Sequence, residues 1–259
     1  MAPILISTAE IVRFGIVLVR LSGIMIFAPF FSNQSVPLQL RAVFTLVATL
    51  VLAPALPLHS LPAELDLSNL TTVFVNEIMV GAVLGIAASL VFAGFQFAGQ
   101  IISFQLGFSL INVIDPQTQV EAPVFSFIND YIGLLFFLLI NGHHWFLLAI
   151  SESFKFLPVG GLHLQAPLLA YIIRLSAQVL VIGIRIAGPV IAVTVVTDIM
   201  MGVIGRAAPQ INIIIVGMPL KVLVGLSCLS FSFYFLPRLL EDLYSSLFKT
   251  LFALVQGMA

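Results

Sequence analysis

The chain has 259 residues, of which 61% are hydrophobic and 8% charged, against about 25% charge in an ordinary soluble domain. Ten Lys and Arg set against eleven Asp and Glu give a net charge of −1. That is too little charge to solvate the surface of a globule of this size, and it leaves no basic face for nucleic acid. The apolar faces must meet lipid or other apolar proteins, which predicts an all-α, multi-helix membrane or membrane-assembly protein of apolar helices and helical hairpins. The single cysteine, Cys228, lies in an apolar run and excludes an internal disulfide framework or thiolate metal site.

The first apolar segment covers about Ile11 to Phe31, before the polar run Ser32 to Ser35 and Pro37. No basic residue precedes Arg13, and the stretch outruns a signal-peptide core, so no cleavable signal is expected. The second segment, Ala42 to Leu58, stops at Pro54 and Pro57, and His59 to Asn69 is read as an exposed loop. The third, Val73 to about Gly107, would be on the order of 50 Å long as a helix, well beyond a hydrocarbon core of about 30 Å. A loop closed by Pro116 and Pro123 follows, then a fourth segment from Val124 to Ile140 and the NGHHW run at Asn141 to Trp145. The fifth, Leu168 to Met201, holds Gly188 and Pro189 in its middle and is expected to kink or divide there. A loop at Arg206 to Asn212 precedes the sixth, which ends near Leu236, and a tail with Leu240, Leu243, Leu247, Leu251 and Leu254 reads as an amphipathic helix. Six spans would put Lys155, Arg238 and Lys249 on one side and Arg41 and Arg206 on the other, which fixes no orientation.

Charges inside an apolar span cost about 2.5–3.5 kcal/mol each on insertion scales, so they turn toward protein or water. Arg13 and Arg20 share a face of the first segment, and Glu77 stands near the start of the third. Arg174, Gln178 and Arg185 share a face of the fifth, which also carries Asp198. Such residues serve either a proton or ion relay or a buried interhelical or intersubunit pairing. The second is favoured, because no two acids fall on one face. In the third segment Gly81, Gly85, Ser89, Gln96, Gln100, Ser103 and Gly107 form one small and amide-bearing stripe. The stripe suits close helix packing or an uncharged channel wall. Adjacent histidines such as His143 and His144 point apart on a helix and make a poor metal pair. No P-loop, nucleophile elbow or dinucleotide fingerprint stands in the sequence, so neither an enzyme nor a cofactor is predicted.

The stretch FAGQIISFQLGFSLINVIDPQTQVEAPVFSF, Phe97 to Phe127, resembles the FliR family of flagellar export proteins and its type III injectisome counterparts. Gln105, Gly107, Ser109, the Asp115-Pro116 pair and Pro123 carry the likeness, together with Asn-Gly-His-x-Trp at Asn141 to Trp145. RLSGIMIFAPFFS from Arg20, with Val36-Pro37 and Arg41 after it, fits the family's opening helix and loop. Ala187 to Lys221 is similar to the small Q subunit of the same gate, in the Ala-x-Pro start, Val196-Thr197, Gln210-x-Asn212, and Pro219 before Lys221.

The resemblance implies a P-like helical part over residues 1–186 and a Q-like hairpin with an amphipathic C-terminal helix over 187–259. It further implies a place in the bacterial inner membrane and flagellar basal body, in a helical assembly with P and Q subunits inside the basal body ring. Unfolded exported proteins would pass through the central channel, with much of the assembly above the plane of the inner membrane and membrane lipid as a further partner. The loop at about 107–123 would plug the pore with Phe108, Leu110, Ile111, Val113 and Ile114, while Asp115 and Pro116 shape its turn. The Q-like loop, with Arg206, Gln210, Asn212 and nearby Lys221, would face the substrate-specificity switch subunit. The alternatives are a self-contained secondary transporter for a small solute, a membrane-embedded enzyme, or a structural ring element whose loop is only a connector. Matching broken segments in two halves and paired intramembrane acids, which a transporter would want, are missing from the sequence.

Overall fold

The computed structural model describes residues 7–28, 36–56, 67–108, 124–161, 166–210 and 212–258. Among these residues the chain forms α1 (Thr8–Phe27), α2 (Leu38–Ala55), α3 (Leu67–Gln105), α4 (Val124–Leu139), α5 (Gly142–Phe156), α6 (Ala166–Ala207), α7 (Ile213–Ser232) and α8 (Leu236–Met258). No strand occurs among them. The fold is all-α, and each of the six apolar runs became a helix.

Local chemistry sets several of the ends. Ser7 and Glu10 form a capping box on α1: the Ser7 hydroxyl accepts from the Glu10 N–H, and the Glu10 carboxylate accepts from the Ser7 N–H. Pro37, whose φ is fixed, stands at the N-cap of α2. Asn141 adopts the left-handed conformation (φ 56°) between α4 and α5, where a short polar side chain is tolerated better than a bulky one. Gly107 (φ 84°) ends α3. Its N–H donates to the Phe104 carbonyl and the next N–H, of Phe108, donates to Ser103, the bond pair of a glycine-closed helix end.

Among the described residues three helices are long and apolar enough to cross a membrane, over Asn69–Gln105, Ala170–Ala207 and Ile215–Ser232, while Leu38–Pro54 and Phe125–Leu139 are shorter apolar helices. The 39 residues of α3 extend about 58 Å at 1.5 Å per residue, so the predicted excess over a bilayer core is present. One expectation needs correction and another is narrowed. The polar stretch before the third segment is helical from Leu67 onward, since Ser68 and Asn69 are acceptable in a first turn whose N–H groups lack ladder partners. The break at Gly188-Pro189 is not a division: Pro189 lies inside the 42-residue α6. Proline removes one ladder bond there, and the buried Ile186, Ala187 and Val190 around it keep the helix packed.

Packing groups the chain into two compact units. The first comprises Met1–Leu90, Asn141–Leu175 and Ser245–Ala259. In it α1 packs on α2 and crosses the first half of α3 backbone to backbone. A Cβ on Gly23 would lie 2.5 Å from the Ile78 carbonyl oxygen, and one on Gly81 only 2.2 Å from that of Arg20. Glycine is therefore required on both sides of the crossing.

The second unit comprises Val91–Ile140 and Ser176–Tyr244. Its core joins Ile102 and Leu106 of α3 to Ala187 and Val190 of α6 and Leu229 of α7. Beside it the rings of Phe92, Phe95, Phe137 and Tyr244 stack and tilt against one another. The fully buried Tyr244 donates its hydroxyl to the Gly133 carbonyl at 2.6 Å. Burial, and after it the Asp130 carboxylate, holds the Tyr244 phenol well above its ordinary range, so it stays the donor. Tyr244→Phe keeps the ring contacts and loses one hydrogen bond, an expected cost of about 1 kcal/mol. Tyr244→Ala empties the ring site and should cost about 3–5 kcal/mol. Thermal unfolding of the solubilised protein checks that order, and equal effects would refute it.

Candidate functional site

Gly107 and Phe108 are the described part of the predicted plug. Phe108 is partly exposed, with its ring centroid 5.4 Å from that of Phe125. Leu110, Ile111, Val113, Ile114, Asp115 and Pro116 lie outside the described residues. The glycine end of α3 sets where this segment leaves the helix, which gives Gly107 a definite task as a terminator.

The small and amide stripe of α3 does not meet one environment. Gly81 and Gly85 contact the backbone of α1, and Ser89 bonds back to its own helix at Ile86. Gln96 and Gln100 are exposed. The Gln96 carbonyl accepts from Ser126 on α4, and its side chain bonds Asp130. Ser103 is buried, and its hydroxyl has no hydrogen-bond partner among the described residues. Close packing accounts for the glycines, and the two exposed glutamines remain as the polar lane on α3.

Of the α6 residues expected to pair between helices or subunits, Asp198 has an interhelical partner within the chain. Arg174 and Arg185 are exposed and Gln178 is half-buried, so spacing placed them on a shared face but that face is open in the single chain. Asp198 is paired, but at the surface: Lys221 of α7 donates to its carboxylate at 2.7 Å, with side-chain exposures of 21% for Lys221 and 55% for Asp198. Arg206, exposed in the last turn of α6, complements the carbonyl end of that helix. Gln210 is exposed beside it. Asn212 caps α7, since its carbonyl accepts from Ile215 and Val216 and its side-chain oxygen accepts from Ile215.

Around these polar groups α6 and α7 present bare apolar surface, including Val196, Ile199, Met200, Val203, Ile215 and Leu223. Of the three span-length helices α7 is the least covered by the chain itself. An apolar face of this extent marks a surface for other apolar matter.

A densely bonded, buried polar cluster was only half foreseen. Arg20 of α1, fully buried, donates from Nε to the Glu77 carboxylate of α3 at 2.5 Å and from Nη1 to the Ser153 hydroxyl of α5 at 3.1 Å. Its guanidinium also lies 3.8 Å from the centroid of the Phe154 ring. The sequence placed Arg20 and Glu77 inside apolar helices and favoured interhelical pairing, but it did not identify Ser153, Asn76 or Gly160 as neighbours. Long-range partners of this kind leave no periodic signal. Asp198 and Lys221 did leave one, because they lie eleven residues before Pro209 and eleven after Gln210, equally far from the turn.

A model of the family described as bacterial export proteins, family 1, matches residues 11–247. The flagellar biosynthetic protein FliR of Escherichia coli (strain K12) is 30% identical over 90% of this chain and 89% of its own length. That of Bacillus subtilis (strain 168) is 32% identical over 82% of each chain. The FliR protein of Aquifex aeolicus (strain VF5) is 28% identical over 70% of each.

Proposed function

We propose, since the chain belongs to the bacterial export proteins of family 1, that it is the R subunit of a flagellar protein export gate. The coarser statement follows from the family: this is a component of the flagellar export apparatus, built on helices of membrane-spanning length. In the finer reading the chain coils with P and Q subunits around a channel for unfolded flagellar proteins across the inner membrane. Residues 1–186 form its P-like part, residues 187–259 its Q-like part, and residues 107–123 plug the pore. Substrates thread past the plug without a chemical step in this chain, and the energy is supplied elsewhere in the apparatus.

The observation that carries the reading is the ordered likeness to FliR over 90% of the chain. Geometry supports it in two places. Helices of 39 and 42 residues exceed what lipid alone requires by roughly a factor of two, as suits a subunit standing partly in protein. The bare apolar faces of α6 and α7 are suited to neighbouring helices, and the exposed Arg206, Gln210 and Asn212 at their turn offer polar contacts for the switch subunit of the apparatus.

Deleting the gene in its own host is expected to abolish swimming and to remove hook and filament proteins from the culture medium, with both restored by the wild-type copy. Normal motility and normal filament export in the deletion strain would overturn the assignment.

A further inference from the structure

Glu77 is shared between two partners. One carboxylate oxygen accepts from Arg20, and the other accepts from the backbone N–H of Gly160 at 3.0 Å. Gly160 sits in the turn after α5 at φ 76°, a conformation that suits glycine. Next to Glu77 on α3, the Asn76 amide donates to the carbonyl of the same glycine, also at 3.0 Å. Both polar groups of one turn residue are thus held by consecutive side chains of α3.

Arg20 approaches the turn from the other side. It reaches the Leu157 carbonyl, where α5 ends, in a longer contact of 3.4 Å. A cation at a helix C-terminus is favourable. The Ser153 hydroxyl donates to Ile150, which leaves its oxygen free to accept from Arg20. Ser153 and Leu157 are fully buried, so water does not compete for these bonds. The crossing at Gly23 and Gly81 brings the α1 and α3 backbones close enough for Arg20 and Glu77 to meet.

We propose that Arg20 and Glu77 form a latch that seats the 157–161 turn on α1 and α3, and that export requires this seating rather than the mere mutual neutralisation of two buried charges. The proposal rests on the export-gate reading for its functional half and on geometry alone for its structural half. It separates two roles that most buried ion pairs confound. Replacing a buried pair by apolar residues of similar volume is often neutral or stabilising, so a pair kept for stability alone is dispensable as a pair. A pair kept for the turn is not, because no apolar side chain accepts from the Gly160 N–H. Nor does a charge swap restore the latch: an arginine at position 77 has no acceptor to offer Gly160.

The test uses the full chain with Cys228→Ser and a reporter Val159→Cys in the turn, expressed with the rest of the export apparatus. In the Arg20→Met/Glu77→Leu double variant the chain is expected to accumulate as wild type. Its thiol at 159 should label with a maleimide about tenfold faster, and filament export should be lost. The Arg20→Glu/Glu77→Arg swap should behave like the double variant. Glu77→Gln keeps one acceptor and the side-chain shape, and should also accelerate labelling; this decides the matter if the double variant fails to accumulate. Unchanged labelling in Glu77→Gln would overturn the latch. Wild-type export by an accumulating double variant would overturn the requirement for seating. Labelling reads the turn whether or not the chain exports, while complementation by the wild-type gene reads the export assignment separately.

Discussion

Gly81→Ala is expected to remove the chain from the membrane fraction, despite the addition of a single methyl group. Its Cβ would stand 2.2 Å from the Arg20 carbonyl oxygen, 3.0 Å from the Ile24 nitrogen and 3.1 Å from the Gly23 Cα. All three are backbone atoms, which cannot rotate away as a side chain would. The two helices must separate, and the separation acts on everything the crossing positions. Overpacking of this kind costs about 1–3 kcal/mol or more. If the shift also parts Arg20 from Glu77, breaking a buried pair adds about 3–5 kcal/mol. The sum is a large share of the roughly 5–15 kcal/mol that keeps a typical domain folded. The same substitution at Gly188 or Gly202 of α6, where an added Cβ meets no atom of the described residues within 4 Å, is expected to be neutral or mildly stabilising, because alanine is the better helix former. Quantitative immunoblots of membranes, with all three variants at equal transcript levels, compare them directly. Wild-type accumulation of Gly81→Ala would mean that α1 and α3 do not cross at this distance.

The glycine contrast also shows how much a sequence of this kind yields. Apolar runs translated into helices because almost nothing else competes in a chain with 8% charge. The helix-period stripe on α3 was legible as a pattern, yet its members do different things. Gly81 packs, Gly107 ends the helix, Gln96 and Gln100 are exposed, and Ser103 is buried. Periodicity gives the azimuth of a side chain on its own helix but not what lies opposite. For the same reason Arg174 and Arg185 were placed on one face without a sign that the face is open. Of the two outcomes expected at Gly188-Pro189, a kink or a division, division does not occur, since one missing ladder bond in a long and well-packed helix does not end it. The pairing of Arg20 with Glu77 spans 57 positions and is fixed by the glycine crossing, a three-dimensional fact with no local signature. The export assignment came from ordered motifs along the whole chain, and the family match over residues 11–247 supports it at that level.

Replacing Phe108, Leu110, Ile111, Val113 and Ile114 together with glycine is expected to make cells that assemble the gate leak small ions while still accumulating the chain. A plug has to exclude water and ions when no substrate is present, and it has to give way to an unfolded chain. Apolar side chains meet both demands, because their association is non-directional and each buried aliphatic or aromatic group contributes only about 1.5–3 kcal/mol. On the proposed reading, five such groups would seal collectively, and an entering segment would displace them one at a time. Asp115 and Pro116 stay in place in this variant, so the backbone restriction that a proline puts on its own φ and on the residue before it is kept. Gly107 also stays, so the end of α3 at φ 84° is undisturbed, and loss of the side chains is separated from loss of the fold. A membrane-potential dye and growth in high salt measure the leak. If the channel is built with P and Q subunits as proposed, the same variant in a strain lacking either one should not leak. A variant that exports normally and holds its potential would make 107–123 a connector, and the closure of the channel would then have to come from another element.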